Sequence, residues 1–126
     1  MAIQVVTTEQ STLFTIRTKH TTYQMKADEY GVLLHLWYGA SVEGDMSYLL
    51  DYPDVGFSGN LYEAENRRTY SLNTLPLEYA TEGVGDFRIP AVAATHADGS
   101  NALDLRYQSY NILKGKYAIA GLPAVY

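Results

Sequence analysis

Residues 22–27 alternate between apolar and polar positions, with Tyr23, Met25 and Ala27 on one side and Thr22, Gln24 and Lys26 on the other. A period of two marks a strand, because successive side chains leave a pleated backbone on opposite faces. The alternation predicts a half-buried strand with the apolar side inward. Residues 13–18 share the β-rich composition, and Lys19, His20 and Thr21 between the two runs suffice to turn a hairpin. Residues 32–38 are apolar at almost every position, which predicts a strand covered on both faces.

Further along, residues 90–96, the turn Ala97-Asp98-Gly99-Ser100 and residues 103–113 predict another hairpin. Leu103, Leu105 and Tyr107 oppose Asp104, Arg106 and Gln108, after which Tyr110 and Ile112 change face, as at a bulge. Lys114-Gly115-Lys116 predicts one more turn, and residues 117–120 the start of another strand. No stretch holds helical spacing over the three turns that a stable helix wants. Residues 51–89 read differently. Pro53, Pro76, Gly56, Gly59, Gly83, Gly85 and many polar positions predict long ordered connections, the kind of segment on which a β scaffold carries function. The fold class is therefore all-β, without long helices.

A length of 126 residues suits one compact unit and is too short for a (β/α)₈ barrel, which needs upwards of roughly 200. The hydrophobic share of 47% excludes disorder, and the 12 tyrosines suit half-buried strand faces, interfaces and sugar-binding surfaces. A net charge of -5, with no basic cluster beyond Arg67-Arg68, gives no footprint for nucleic acid. No run is long and apolar enough for a membrane span, and no secretory signal is visible. With 0 cysteines, a disulfide scaffold, a thiolate zinc site and a cysteine nucleophile are excluded, which fits a cytoplasmic protein.

Candidate chemistry is sparse. His20, His35 and His96 are far apart and lack ligand spacing, so ordinary packing and surface roles outweigh a metal site. Gly56-Phe57-Ser58-Gly59 resembles a nucleophile elbow only superficially, and Gly83-Val84-Gly85 lacks the third glycine and the helix of a phosphate cradle. No pattern implies a cofactor. Asp45, Asp51, Asp54, Glu63, Glu65, Glu78, Glu82 and Asp86 fall in or near the predicted loops, where paired carboxylates could serve a glycosidase and solvated loop charges are the ordinary alternative. Arg67-Arg68, close to Glu63 and Glu65, reads as surface ion pairs of little energetic weight.

Three longer motifs are more specific. Asp54-Val55-Gly56-Phe57-Ser58-Gly59-Asn60, Arg68-Thr69-Tyr70-Ser71-Leu72-Asn73-Thr74-Leu75-Pro76-Leu77-Glu78-Tyr79 and Gly83-Val84-Gly85-Asp86-Phe87-Arg88-Ile89-Pro90-Ala91 follow one another in the central block. With Thr21-Thr22-Tyr23-Gln24-Met25, His35-Leu36-Trp37-Tyr38-Gly39, Asp98-Gly99-Ser100 and the terminal Lys114-Gly115-Lys116 and Gly121-Leu122-Pro123-Ala124-Val125-Tyr126, they cover the whole chain. In this order and spacing the sequence resembles the N-terminal region of family 36 glycoside hydrolases, the bacterial α-galactosidases that cleave melibiose and raffinose.

The resemblance implies that residues 1–126 are part of an N-terminal β-supersandwich, antiparallel and galactose-mutarotase-like, followed in the parent enzyme by a catalytic barrel and a C-terminal β domain. It places the nucleophile and the acid/base, both aspartates, on that barrel, in a retaining two-step mechanism. The chain alone is then expected to be catalytically silent, and truncation to expose strand edges or an apolar sheet face, favouring self-association.

The resemblance also implies a homo-oligomer, commonly a tetramer, in which N-terminal loops help complete a neighbour's sugar site for α-galactoside oligosaccharides. The residues carried over are Asp54 and Arg68: a carboxylate can accept from two sugar hydroxyls, and a guanidinium fork can donate to neighbouring oxygens. Two positions depart from the family pattern, Val55 where Arg is frequent and Asn73 where Asp is. Asp86 and Arg88 are expected to hold a loop by an ion pair and backbone bonds, without touching sugar. The rival readings are a stand-alone carbohydrate-binding module, stacking sugars on Trp37 or exposed tyrosines, and a pure oligomerisation domain.

Overall fold

A computed structural model of the chain describes residues 1–56 and 59–123. Four strands form one antiparallel meander in the order β1-β2-β3-β4: β1 (Ala2–Thr7), β2 (Thr12–Arg17), β3 (Thr21–Ala27) and β4 (Leu33–Ala40). The predicted hairpin is β2 and β3, in a register that sets Phe14 against Met25 and Ile16 against Tyr23. β1 had no counterpart in the sequence reading; it pairs with β2 over its whole length, Ile3 opposite Ile16 and Val5 opposite Phe14. The register of β3 and β4 shifts between Gln24 and Met25, a bulge that brings Tyr23 opposite Tyr38 and Met25 opposite His35.

The alternation in β3 is present, but over Thr22 to Met25 the fully buried side is the polar one, and only Ala27 of the apolar side is buried. Thr22 and Gln24 are inaccessible, while Tyr23 and Met25 are half-buried. The loop after β4 folds back over the polar face and meets its hydrogen-bonding groups. Gln24 Nε2 donates to Thr15 Oγ1 at 2.9 Å and to the Gly44 carbonyl at 3.0 Å, and its Oε1 accepts the Met46 N–H at 2.7 Å. Thr22 Oγ1 donates to the Val42 carbonyl and accepts the Val42 N–H. A polar side chain with every group paired can be buried at little net cost.

The other face carries Ile3, Val5, Phe14, Ile16 and Met25, which with Tyr107, Tyr110 and Ile112 line an open cleft of about 270 Å³. Phe14 takes Tyr107 and Tyr110 edge-on, with ring centroids 5.6 and 5.4 Å apart.

β4 differs from the expectation of two covered faces: Leu34 and Leu36 are buried, but His35 and Trp37 are only half-buried and Tyr38 is exposed. Its free edge is taken by the segment after Leu75. His35 N–H donates to the Pro76 carbonyl at 2.7 Å, Glu78 N–H donates to the Leu33 carbonyl at 3.0 Å, and Leu34 and Leu77 form an antiparallel bridge. The core proper, Val32, Leu34, Leu61, Ala64, Tyr70, Leu72 and Leu75, therefore packs the start of β4 against non-repetitive chain.

The described residues of 51–89 are the long connections expected of them, with one short 3₁₀ turn among them at Tyr62–Ala64. The expected second hairpin does not form. The turn at Asp98-Gly99 is there, closed by His96 N–H on the Ser100 carbonyl at 2.8 Å, but its arms carry no ladder. Residues 103–113 instead run along the rest of the domain, tied by Leu103 N–H to the Glu82 carbonyl and Tyr107 N–H to the Gly31 carbonyl. Nor do the described residues 117–120 form a strand. The second layer of the expected sandwich is thus irregular among the described residues, and the ordered sheet is a single one.

Burial of Gln24 yields a stability prediction. Gln24→Leu keeps the volume but strands the Thr15 hydroxyl, the Gly44 carbonyl and the Met46 N–H, so it should cost about 2–3 kcal/mol. Urea unfolding of the chain checks this as a lower midpoint at unchanged slope; an unchanged midpoint contradicts it.

Candidate functional site

The candidate site starts at the loop that leaves Pro53. Asp54 Oδ1 accepts the Gly56 N–H at 3.0 Å, a local turn that a short carboxylate side chain favours. The same oxygen accepts Arg68 Nε at 3.1 Å, from a residue 14 positions later, and Val55 N–H donates to the Arg68 carbonyl at 3.3 Å. Asp54 and Arg68, proposed from sequence separately, are thus brought together as one pair. Both are exposed, with side-chain accessibilities of 54% and 66%, so the pair adds little to stability. Among the described residues, Asp54 Oδ2 and the terminal Arg68 nitrogens have no hydrogen-bond partner. Phe57 and Ser58, in the middle of the Gly-Phe-Ser-Gly-Asn motif, lie outside the described residues.

The loop is closed at its far end by Asn60, whose Nδ2 donates to the carbonyls of Glu65 at 3.0 Å and Arg67 at 3.1 Å. Gly56 has a left-handed φ of +67, and a side chain there would approach Arg68 Nη2.

Behind the loop lies the Gly-Asp-Phe-Arg segment. Arg88 grips Asp86 with Nε on Oδ1 at 2.8 Å and Nη2 on Oδ2 at 2.9 Å, the two-pronged geometry that suits a carboxylate. The same Nη2 donates to the carbonyls of Leu72 at 2.7 Å and Leu75 at 2.8 Å. Burial of Asp86 pushes its carboxyl up, but the side-chain bonds, backbone N–H and charge of Arg88 outweigh that and hold it below the ordinary value. This is the structural role expected of the two residues. Asn73, one of the departures from the family pattern, accepts the Phe87 N–H on Oδ1 at 2.9 Å and so anchors the same segment.

With this geometry in hand, comparison with known proteins is decisive. The sequence pattern of the Glycosyl hydrolase family 36 N-terminal domain matches residues 31–126. The chain belongs to that family. It is 50% identical over 114 residues to the bifunctional alpha-galactosidase/sucrose kinase AgaSK of Mediterraneibacter gnavus, a match covering 90% of this chain and 12% of that protein. The solved galactosidase domain of AgaSK superposes with a TM-score of 0.91 at 48% identity, covering 98% of this chain and 17% of that one. A Geobacillus stearothermophilus family 36 alpha-galactosidase, AgaA, solved as a variant in complex with raffinose, superposes at 0.79 with 36% identity over 90% of this chain and 16% of its own. The family 36 domain thus spans well under a fifth of the length of these relatives.

Several of the other sequence candidates in this family 36 domain have side-chain partners of their own, whereas Asp51, Glu65, Glu82 and His20 make no side-chain bond among the described residues. Glu78 accepts from the Tyr23 hydroxyl and contacts His35 Nδ1 at 2.9 Å, joining β3 and β4 to the edge segment. Burial first, then the bond to Glu78, raises the Tyr23 hydroxyl far above its usual value. Glu63 sits 3.7 Å from Arg106, and Asp45 holds the Ser47 N–H. His96 is bonded to the Ala102 carbonyl. Arg67 and Arg68 pair with Glu29 and Asp54, not with the adjacent Glu63 and Glu65 of the sequence reading; Arg67 also lies over the rings of Tyr52 and Tyr70. The Trp37 indole is spent locally, donating to the Ala40 carbonyl at 3.2 Å and lying against Gly39. Among the described residues no group of histidines and carboxylates is placed to hold a metal, and no helix is long and apolar enough to cross a membrane.

Sequence reasoning gave no role of their own to Gly59 and Gly85, whose signals were Gly56-Phe57-Ser58-Gly59, read as a superficial nucleophile elbow, and Gly83-Val84-Gly85, read as an incomplete phosphate cradle, both within the family motifs.

The Asp86 carboxylate gives a pH prediction. Its folded-state pKa lies below the unfolded one, so its stabilisation is present above about pH 4 and is lost as pH falls through the folded value. Asp86→Asn should lower stability by about 2 kcal/mol at neutral pH, with the gap to wild type closing in acid. Urea midpoints measured across pH 2.5–7 check it; a gap that is constant with pH contradicts it.

Proposed function

We propose that this chain is part of the N-terminal, non-catalytic domain of a retaining α-galactosidase that removes terminal galactose from raffinose-type oligosaccharides, and that Asp54 and Arg68 contact the sugar on its aglycone side. The observation that carries the reading is the half-used ion pair: one carboxylate oxygen and the guanidinium end remain available among the described residues, held at fixed spacing on an exposed loop. Such a pair matches a polyol, whose hydroxyls both donate and accept. The raffinose complex of a family 36 relative supports the substrate class.

In this reading the catalytic aspartates reside on the parent's barrel, and the domain serves a homo-oligomer, a tetramer, in which the pair reaches a neighbouring subunit's sugar site. Absence of cysteine supports a cytoplasmic setting. Trp37 gives the module reading no stacking platform, because it lies against its own strand; the platforms left to that reading are exposed tyrosines such as Tyr38, Tyr48 and Tyr62.

The test uses the full-length parent and raffinose. Asp54→Ala and Arg68→Ala each remove a charge-assisted hydrogen bond worth about 1.5–3 kcal/mol, so kcat/KM should fall roughly 10–100-fold with the oligomer intact. Unchanged raffinose kinetics in an intact oligomer would remove the subsite role and leave assembly as the function.

A further inference from the structure

Gly85 has a left-handed backbone, φ +97, and a Cβ built on it would stand 3.3 Å from the Gly59 carbonyl oxygen and 3.5 Å from its carbon. A Cβ built on Gly59 would in turn lie 3.6 Å from Gly85 Cα. The two backbones therefore meet with no side chain between them; a Cβ on Gly59 would make ordinary contact, whereas one on Gly85 would require its neighbour to give by a few tenths of an ångström and would sit on a left-handed backbone that favours glycine. Gly59 belongs to the loop that begins at Asp54 and closes at Asn60.

On the other side of this contact the chain is fixed. Arg88 ties Asp86 to the Leu72 and Leu75 carbonyls, with its four bonds all between 2.7 and 2.9 Å. Asn73 holds the Phe87 N–H. Gly83, with φ +83, is pressed so closely on Ala102 that a Cβ would fall 2.7 Å from the Ala102 Cα. The segment is thus a rigid shelf, and the Gly59 end of the loop rests on it at a height set by the missing side chain of Gly85.

We propose that Gly85 is a positioning residue for the Asp54–Arg68 pair: its bare backbone sets how deep the loop sits, and thereby where the pair meets the sugar. The inference rests on the reading of that pair as a sugar contact. A one-carbon addition at Gly85 displaces Gly59 by a few tenths of an ångström and with it Asn60, whose Nδ2 holds the Arg67 carbonyl next to Arg68. A binding group displaced from its productive position loses affinity steeply. The chemical step, performed elsewhere, is left intact.

A glycine that merely packs gives a different result, and Gly31 provides the comparison. It also has a left-handed φ, +74, so a side chain there is strained by the backbone in the same way, but its Cβ would meet Tyr107 O at an ordinary 3.5 Å and that contact lies away from the loop.

In the full-length parent, Gly85→Ala should raise KM for raffinose about fivefold or more while kcat stays within about twofold. Gly31→Ala should lower the melting temperature comparably and leave KM within about twofold. Asn73→Ala, which removes only the acceptor of the Phe87 N–H, loosens the same shelf with less threat to folding and should raise KM about twofold to threefold; it decides the matter should Gly85→Ala not fold. Equal KM effects of Gly85→Ala and Gly31→Ala, or no KM effect of either shelf variant, overturn the inference. The two readings separate through Asp54→Ala: if it raises KM and the shelf variants do not, only the positioning role falls, whereas if it leaves KM unchanged the sugar-contact reading falls and takes the positioning role with it.

Discussion

The grip of Arg88 on Asp86 and on the Leu72 and Leu75 carbonyls is the interaction on which the non-repetitive half of the domain depends. That half has no ladder, so its buried peptide groups must find partners one at a time. Leu72 and Leu75 are core residues with almost no accessible surface, which leaves their carbonyls short of water. A guanidinium is suited to the task, since its donors are rigid and several, and it stays charged at any working pH. Its charge is balanced by a carboxylate whose side chain is fully buried. One side chain thereby closes a turn, caps two core carbonyls and fixes the segment beneath the Asp54 loop.

The same constraint explains an inversion along residues 86–89. In an ordinary surface segment the charged positions face water and the apolar ones face in. Here Asp86 is buried, whereas Phe87 and Ile89 are 83% and 93% exposed. β3 inverts in a similar way, with Gln24 buried and Tyr23 half-open. In both places a polar side chain satisfies irregular backbone that packs over it: the 42–46 loop over Gln24, the 72–75 turn over Arg88. Hydrophobicity alone does not decide which face is inside when the covering layer is loop, because loop backbone brings unpaired N–H and carbonyl groups that an apolar face cannot answer.

This sets what the sequence could and could not reveal. The hairpin of residues 12–27 was legible because a period-two pattern and a short turn are local properties, and β4 because an apolar run needs only a strand's length. Residues 103–108 alternate as cleanly and form no strand, since alternation reports an extended backbone and not the presence of a ladder partner. Which face of β3 is buried was illegible for the reason given above. Asp54 and Arg68 were found through motif resemblance, but that they share one ion pair depends on a closure over 14 residues that no local pattern encodes. The real partner of Arg67 is Glu29, 38 positions away and not the nearby acids of its own loop.

The division between Asp86–Arg88 and Asp54–Arg68 shows how one chemistry serves two ends. Both are Asp–Arg pairs joined through Nε at 2.8 and 3.1 Å. In the first, the carboxylate is buried and both its oxygens are taken, so exchanging partners there would strand a charge and cost several kcal/mol. In the second, both members are more than half exposed and, among the described residues, only one carboxylate oxygen is engaged, so the pair contributes little to folding and can rearrange around a ligand cheaply. The sugar-contact role proposed for Asp54 and Arg68 is better served by the second kind, provided something else holds the backbone still. The stiffness comes from the first pair, passed to the loop through the bare contact of Gly85 with Gly59.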